Sequence, residues 1–343
     1  MIRHCLYLFA ILSLLFSCSS KEERQQKLIN RSFALIEEGQ SQKGIERAEE
    51  AIRLNAENPA AWNAKGVALY KNGDIYESVQ AFDKAIALKS DYTRAYYNRS
   101  NAFYRAGEYY RALDDLEPVI EYYSDSAFVF LSKGLAEVGL KQYKQAKVSF
   151  NQAASLDDSN AEVTTNLASV YYFQDSLLTA QRLTLEALEL DAEEANAWNL
   201  LSLIQTDLGE LNKALESINR AVNLNKFQPY FLNNRGYIYT LMAQYDKAAT
   251  DLKQSISIDE KNPYVYRNLG VLSLKKGDLL IAEKQLKDAL SKNDELPLAN
   301  YYMGELYRAK NDTKTACKYY RISAALSEPQ GIEALSQRCT ANQ

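Results

Sequence analysis

Histidine, the side chain most used for proton transfer near neutral pH, occurs once in this 343-residue chain, as His4. Everything beyond it is therefore without Ser-His-Asp or Cys-His chemistry and without histidine-containing zinc sites. No G-x-S-x-G and no glycine-rich phosphate loop is present. The carboxylates are numerous, but they are strewn along helical faces, where solvation is their ordinary role. No catalytic residue, cofactor, metal or small-molecule substrate is expected. The groups left are amides, phenols and four cysteines, Cys5, Cys18, Cys317 and Cys339. Asn30, Asn98, Asn166, Asn234 and Asn268 recur at separations of 34 or 68 residues. Each amide offers a donor and an acceptor together, the pair that an extended peptide backbone presents. The chain also carries 25 tyrosines, which supply broad amphipathic contact at small entropic cost.

The elements that position these groups follow from the same spacing. A 34-residue pattern runs nine times from Gln25 to Gln330, in the units 25–58, 59–92, 93–126, 127–160, 161–194, 195–228, 229–262, 263–296 and 297–330. The fourth position is usually bulky, as at Leu28, Trp62, Tyr96, Phe130 and Trp198. The eighth is always small, from Ser32 and Gly66 to Gly304, and so is the twentieth, from Gly44 and Ser78 to Ala316. This predicts two helices per unit, at about positions 2–14 and 15–31, touching through positions 8 and 20. Pro59, Pro229, Pro263 and Pro297 open their units, and Gly73, Gly107, Gly209 and Gly277 fall at the turn between helices, where positive φ costs glycine little. One pair of helices cannot bury its own apolar face, so neighbours must stack. Position 7 carries Arg31, Lys65, Arg99, Lys133 and Arg235, whose stems are expected to pack while their heads reach water. Pro118 falls in a second helix, where it is either accommodated locally or kinks the array into a hinge between units one to three and four to nine.

The period and its small and bulky positions resemble the tetratricopeptide repeat (TPR) family, whose W-x2-L-G-x2-Y…A-x3-F…P framework has this length. Residues 60–88 and 196–224 match it most closely. The resemblance implies an all-α right-handed solenoid of nine helix pairs, with residues 331–343 as a C-terminal capping helix. In that family, positions 2, 5, 9 and 12 of the first helices line a concave face, with position 6 beside them. Carried over, this places Arg94, Tyr97, Asn101 and Tyr104 there, with Asn63, Tyr172, Asn199, Asn233, Tyr237 and Arg267. At position 6 it adds Asn98, Asn166, Asn234 and Asn268. The resemblance implies peptide capture by an asparagine ladder. A ladder that only stabilises the array, a glycan-binding face and a plain structural spacer remain open beside it.

The N-terminus reads as an address. Residues 1–17 carry Arg3 and an apolar run from Cys5 to Phe16, too short for a span of about 20 residues and secretory in pattern. Leu15-Phe16-Ser17-Cys18 resembles a bacterial lipobox, which implies acylation of Cys18 and a short tether, 18–24. Ser19 rather than Asp after it implies the Gram-negative outer membrane, facing the periplasm or the surface. The expected partner is a protein or peptide, with the membrane met through the lipid alone. Lys+Arg and Asp+Glu number 40 and 44; this balance offers no basic surface for nucleic acid. Cys317 and Cys339, 22 residues apart, either bridge in an oxidising compartment or remain two thiols.

Overall fold

The computed structural model describes residues 21–339. The expected signal segment 1–17 and the expected lipid site Cys18 lie outside the described residues. Among the described residues 81% are helical, and the chain divides into two compact units after Val170, within one helix.

The N-terminal compact unit contains α1 (21–37), α2 (Ser41–Leu54), α3 (Pro59–Asn72), α4 (Ile75–Leu88), α5 (Thr93–Ala106), α6 (Tyr109–Tyr122), α7 (Ala127–Gly139), α8 (Tyr143–Leu156) and most of α9 (Ala161–Phe173). The C-terminal unit takes the end of α9 and then α10 (Leu177–Leu190), α11 (Ala195–Asp207), α12 (Leu211–Leu224), α13 (Pro229–Leu241), α14 (Tyr245–Ile258), α15 (Pro263–Lys276) and α16 (Leu279–Lys292). It ends with α17 (Ala299–Ala309), α18 (Thr313–Ala325) and α19 (Pro329–Arg338). Within each unit the odd and even helices pack in pairs. Among the described residues no helix is long and apolar enough to cross a membrane.

The turn inside each pair explains the period and corrects the expected second helix. Position 15 is left-handed in every repeat. Gly39, Gly73, Gly107, Gly209 and Gly277 stand there, and Lys141, Asp175, Ala243 and Asn311 take the same conformation at φ 57–61°. A left-handed residue cannot begin a helix, so the second helices start at position 17, as α4 does at Ile75. Where Gly is absent the side chain bears the steric cost itself.

The core contact also differs from expectation. Position 8 does meet position 20: a methyl group on Gly236 would lie 3.3 Å from the Ala248 carbonyl. Its closer neighbour is position 24. A methyl group on Gly134 would come within 2.5 Å of the Phe150 ring, and one on Gly236 or Gly270 within 2.7 Å of Leu252 or Leu286. Glycine at 8 is thus the space that the large side chain at 24 occupies, and Phe150, Leu252 and Leu286 are fully buried.

Two further expectations change. Arg99 and Arg235 do not send their heads to water. Each guanidinium grips a buried aspartate at position 23 of its own repeat, Asp115 at 2.6–2.7 Å and Asp251 at 2.6–2.9 Å. Each also reaches position 25 of the preceding repeat, Asp83 at 2.5 Å and Asn219 at 3.2 Å. The last repeat also departs from period. Pro297 lies in a turn, Leu298 is left-handed at φ 62°, and α17 begins only at Ala299. The cap begins at Pro329, two residues before the expected boundary, because Ser327 turns at φ 63° and Glu328 precedes the helix. Pro118 sits inside an unbroken α6.

Candidate functional site

The first helices set the candidate residues in rows, because position 5 of one repeat faces position 6 of the next. The position-6 amides donate along this row: Asn98 to Asn63 at 2.9 Å, Asn234 to Asn199 at 2.8 Å and Asn268 to Asn233 at 3.0 Å. Asn233 in turn donates to Asn234. Asn63, Asn233 and Asn268 are buried, so these three are joints between repeats and not surface for a peptide. Asn166 has no amide at position 5 of the preceding repeat, where Leu131 stands, and donates to the Glu162 carbonyl of its own helix at 2.9 Å. Spacing alone shows the recurrence of the amides but not that position 5 supplies their partner.

In the N-terminal compact unit the remaining candidates form an open aromatic surface. Tyr97 meets the edge of Phe128 at 5.0 Å between centroids, and Phe128 also touches Tyr123. Asn101 and Tyr104 border a cavity of about 20 Å³ with Ser132 and Leu135, room for about one water. Burial pushes the Tyr104 hydroxyl above its ordinary range. Phe128 and Tyr104 remain exposed. Arg94 is exposed on the first turn of α5.

The C-terminal compact unit gathers the charged and phenolic candidates more tightly. Tyr172 donates to the Asp207 carboxylate at 2.8 Å. Burial, then the Asp207 charge, raises the Tyr172 hydroxyl well above its usual range. Burial likewise raises Asp207, against the bond from Tyr172. Tyr237 and Tyr302 share a hydroxyl hydrogen bond of 2.7 Å across 65 residues of sequence, from repeat seven to repeat nine. Arg267 is only 9% exposed. Its guanidinium lies 5.2 Å from the Tyr264 ring centre and 5.6 Å from that of Tyr237, within cation–π range. Its Nε donates to the Asn268 amide oxygen at 3.0 Å and one terminal nitrogen to the Pro297 carbonyl at 2.8 Å. The irregular turn at 297–298 is what brings that carbonyl within reach. Asp207, at position 13, is a site residue that the position rule does not name, and Tyr302 stands at position 6, where the rule singles out asparagines alone.

At the C-terminus, Cys317 and Cys339 form a disulfide with Cα atoms 5.7 Å apart. It joins α18 to the end of α19, whose Ala334 closes over Ala316 and Tyr320. Arg338 and Tyr320 both donate to Glu305. Burial opposes the Glu305 charge, but the bonds from Tyr320 and Arg308 outweigh it and hold the carboxyl below its usual range.

Comparison with known proteins agrees with this geometry. Profiles described as tetratricopeptide repeat match residues 34–93, 71–127, 129–160 and 195–228, and one described as TPR repeat matches 236–277. The tetratricopeptide repeat-containing protein trd-1 of Caenorhabditis elegans is 28% identical over 87 residues, 25% of this chain. The chain spans 11% of that relative's length. A tetratricopeptide repeat protein from Parabacteroides merdae superposes with a TM-score of 0.63 at 16% identity, over 73% of this chain and 99% of its own. The APC/C hetero-tetramer Cut9-Hcn1 gives 0.62 at 15% identity, over 86% of this chain and 58% of that one. At such identities the likeness concerns the fold. The profile matches together cover more than half of the residues, and with the recurring turn at position 15 and the seat of position 24 on position 8, they show that the chain belongs to the tetratricopeptide repeat family.

Proposed function

We propose that the protein is a non-catalytic protein–protein interaction scaffold of the bacterial envelope, which holds a peptide segment of its partner on the first-helix faces. The observation that carries this reading is the exposed aromatic and polar surface of those helices, including Phe128, Tyr104 and Tyr264. Amphipathic rings bind extended chains with little loss of side-chain freedom. Because the buried asparagines are spent on one another, recognition falls to tyrosine and arginine side chains and to the partly exposed amides Asn101 and Asn166. The pattern at Leu15–Cys18 supports a lipid anchor at Cys18 and a place at the outer membrane.

Crosslinking in intact envelopes followed by affinity capture tests the scaffold. A reproducible protein partner, diminished by Tyr104→Ala with Phe128→Ala in a folded variant, is the expected result. Recovery of polysaccharide alone would replace the reading with a glycan-binding module. Cys18→Ser is expected to release the protein from membranes or leave it unprocessed; a cleaved variant that still fractionates with membranes would refute the lipid anchor.

A further inference from the structure

We propose that the second-helix face of the last two repeats, on α16 and α18, rests on an anionic lipid bilayer, with Leu280 and Ile281 among the headgroups and the surrounding lysines at the phosphates. The inference uses the other helix of each repeat from the partner reading, and it does not depend on acylation of Cys18.

In a second helix, positions 20, 24 and 27 turn inward: Ala282, Leu286 and Ala289 of α16 are buried, as are Ala316, Tyr320 and Ser323 of α18. Positions 18, 22 and 25 therefore form the outward stripe, each one helical turn from the next. On α16 these are Leu280, Lys284 and Lys287, and on α18 Lys314, Lys318 and Arg321, all exposed. Leu280 is 82% exposed, more than any other large apolar side chain among the described residues, and Ile281 beside it is 53% exposed. The fold does not require an apolar residue there, since repeats six and nine carry Asn212 and Lys314 at position 18. α17 joins the two helices into one surface. Tyr307 donates to Glu283 of α16, and its ring stacks on Tyr319 of α18 with centroids 5.6 Å apart.

Charge says what covers this stripe. The chain as a whole has a net charge of −4, but α16 and α18 carry six Lys and Arg against two carboxylates, Glu283 and Asp288, a net +4. Glu283 is already held by Lys287 and Lys310. Lys284, Lys314, Lys318 and Arg321 form no ion pair among the described residues. Position 18 is also apolar at Tyr76, Tyr110 and Leu178, but there it stands on the net-acidic helices α4, α6 and α10. Only on α16 does an exposed aliphatic pair meet a basic surround. Protein interfaces are poor in lysine and rich in aromatic side chains, and this stripe is the reverse. Lysine stems lie along apolar surface while their heads reach phosphate. Each cation near an anionic leaflet adds attraction, and aliphatic carbon enters the boundary between headgroups and acyl chains.

Tryptophan fluorescence of the full chain reconstituted in vesicles tests the proposal, with Leu280→Trp as the reporter and phosphatidylcholine brominated on its acyl chains as the quencher. The background is Trp62→Phe with Trp198→Phe, because repeat four carries Phe130 at the same position. In vesicles of equal parts phosphatidylglycerol and phosphatidylcholine the reporter should be quenched, and in phosphatidylcholine alone the quenching should fall away. Tyr110→Trp on acidic α6 should stay unquenched in both, which separates docking of the stripe from attachment through the N-terminus. Lys284→Gln, Lys314→Gln and Lys318→Gln should each lower the ratio of docked to free protein about five-fold, with melting unchanged. Equal quenching in neutral vesicles, equal quenching at Tyr110→Trp, or full quenching after all three lysine replacements overturns the proposal. So does a Leu280→Trp reporter left unquenched in the anionic vesicles; capture of an envelope protein by a photocrosslinking side chain in place of Leu280 would then assign the stripe to a protein partner. The scaffold reading is tested at Tyr104 and Phe128 and stands or falls separately.

Discussion

Arg99 shows how one side chain can serve two repeats. Burial opposes its charge, but Asp115 and Asp83 outweigh that and make the guanidinium more basic than usual. Asp115 is itself pushed up by burial, against the pull of Arg99, so the pair is a poised one. Arg99→Met would leave Asp115 buried and uncompensated and should cost about 3–5 kcal/mol in urea unfolding. Adding Asp115→Leu should recover much of that loss; a double variant no more stable than the single would show that the ion pair is not the source. A second test concerns position 8. Gly134→Ser should cost about 1–3 kcal/mol by overpacking against Phe150. Combining it with Phe150→Leu should restore part of the stability, because repeat three already pairs Ser100 with Leu116. If the serine variant melts like the parent, the backbone yields and the seat is not rigid.

Between helices, one carboxylate ties α16 to α17 beside their apolar packing. Glu283 on α16 accepts from Lys287 of its own helix and from Lys310 and Tyr307 at the other side of the contact. These bonds, Lys287 first, hold its carboxyl down at about 2 against an ordinary 4.5. A depressed carboxylate contributes stability above its unfolded pKa and loses it as pH falls through the folded value. Glu283→Gln should therefore melt earlier than the parent at neutral pH. The difference should shrink from pH 4.5 downward and vanish near pH 2. A melting difference constant across that range would assign the effect to packing. Pro118, by contrast, does not interrupt its element: α6 runs from Tyr109 to Tyr122 around it. The missing N–H is one bond, and the buried Leu116 and Val119 on either side keep the helix in place.

For the molecule as a whole, a repeat array gains stability from each neighbour in turn, and α19, the last of the described elements, packs against α18 and α17. The Cys317–Cys339 bond holds that element. Replacing both cysteines by alanine should cost about 3 kcal/mol in the chain-entropy account of a loop this size. Hydrogen exchange should quicken first in α19 and then in α18, while amides of the N-terminal compact unit keep their protection. Uniformly faster exchange along the chain would mean that the repeats unfold as one body.

The period and most of its meaning were legible in the residues. Nine small side chains at position 8, nine at position 20 and glycines at the turn can be satisfied together only by stacked helix pairs, since backbone sterics and close packing act locally and repeat with the sequence. The closeness of Cys317 to Cys339 was legible as a possibility, because a short cap must fold back on α18. What spacing could not show is where long polar side chains find their partners. Asn98 reaches Asn63, Tyr237 reaches Tyr302 and Arg99 reaches Asp115, and each choice depends on distances between helices that packing sets. The same holds for the turn at Pro297 and Leu298, which follows the 34-residue count in sequence but not in backbone. Arg267 is the clearest case: its position marks it as a surface residue, and only the folded chain buries it between Tyr237 and Tyr264, because burial is a property of everything that packs around a side chain.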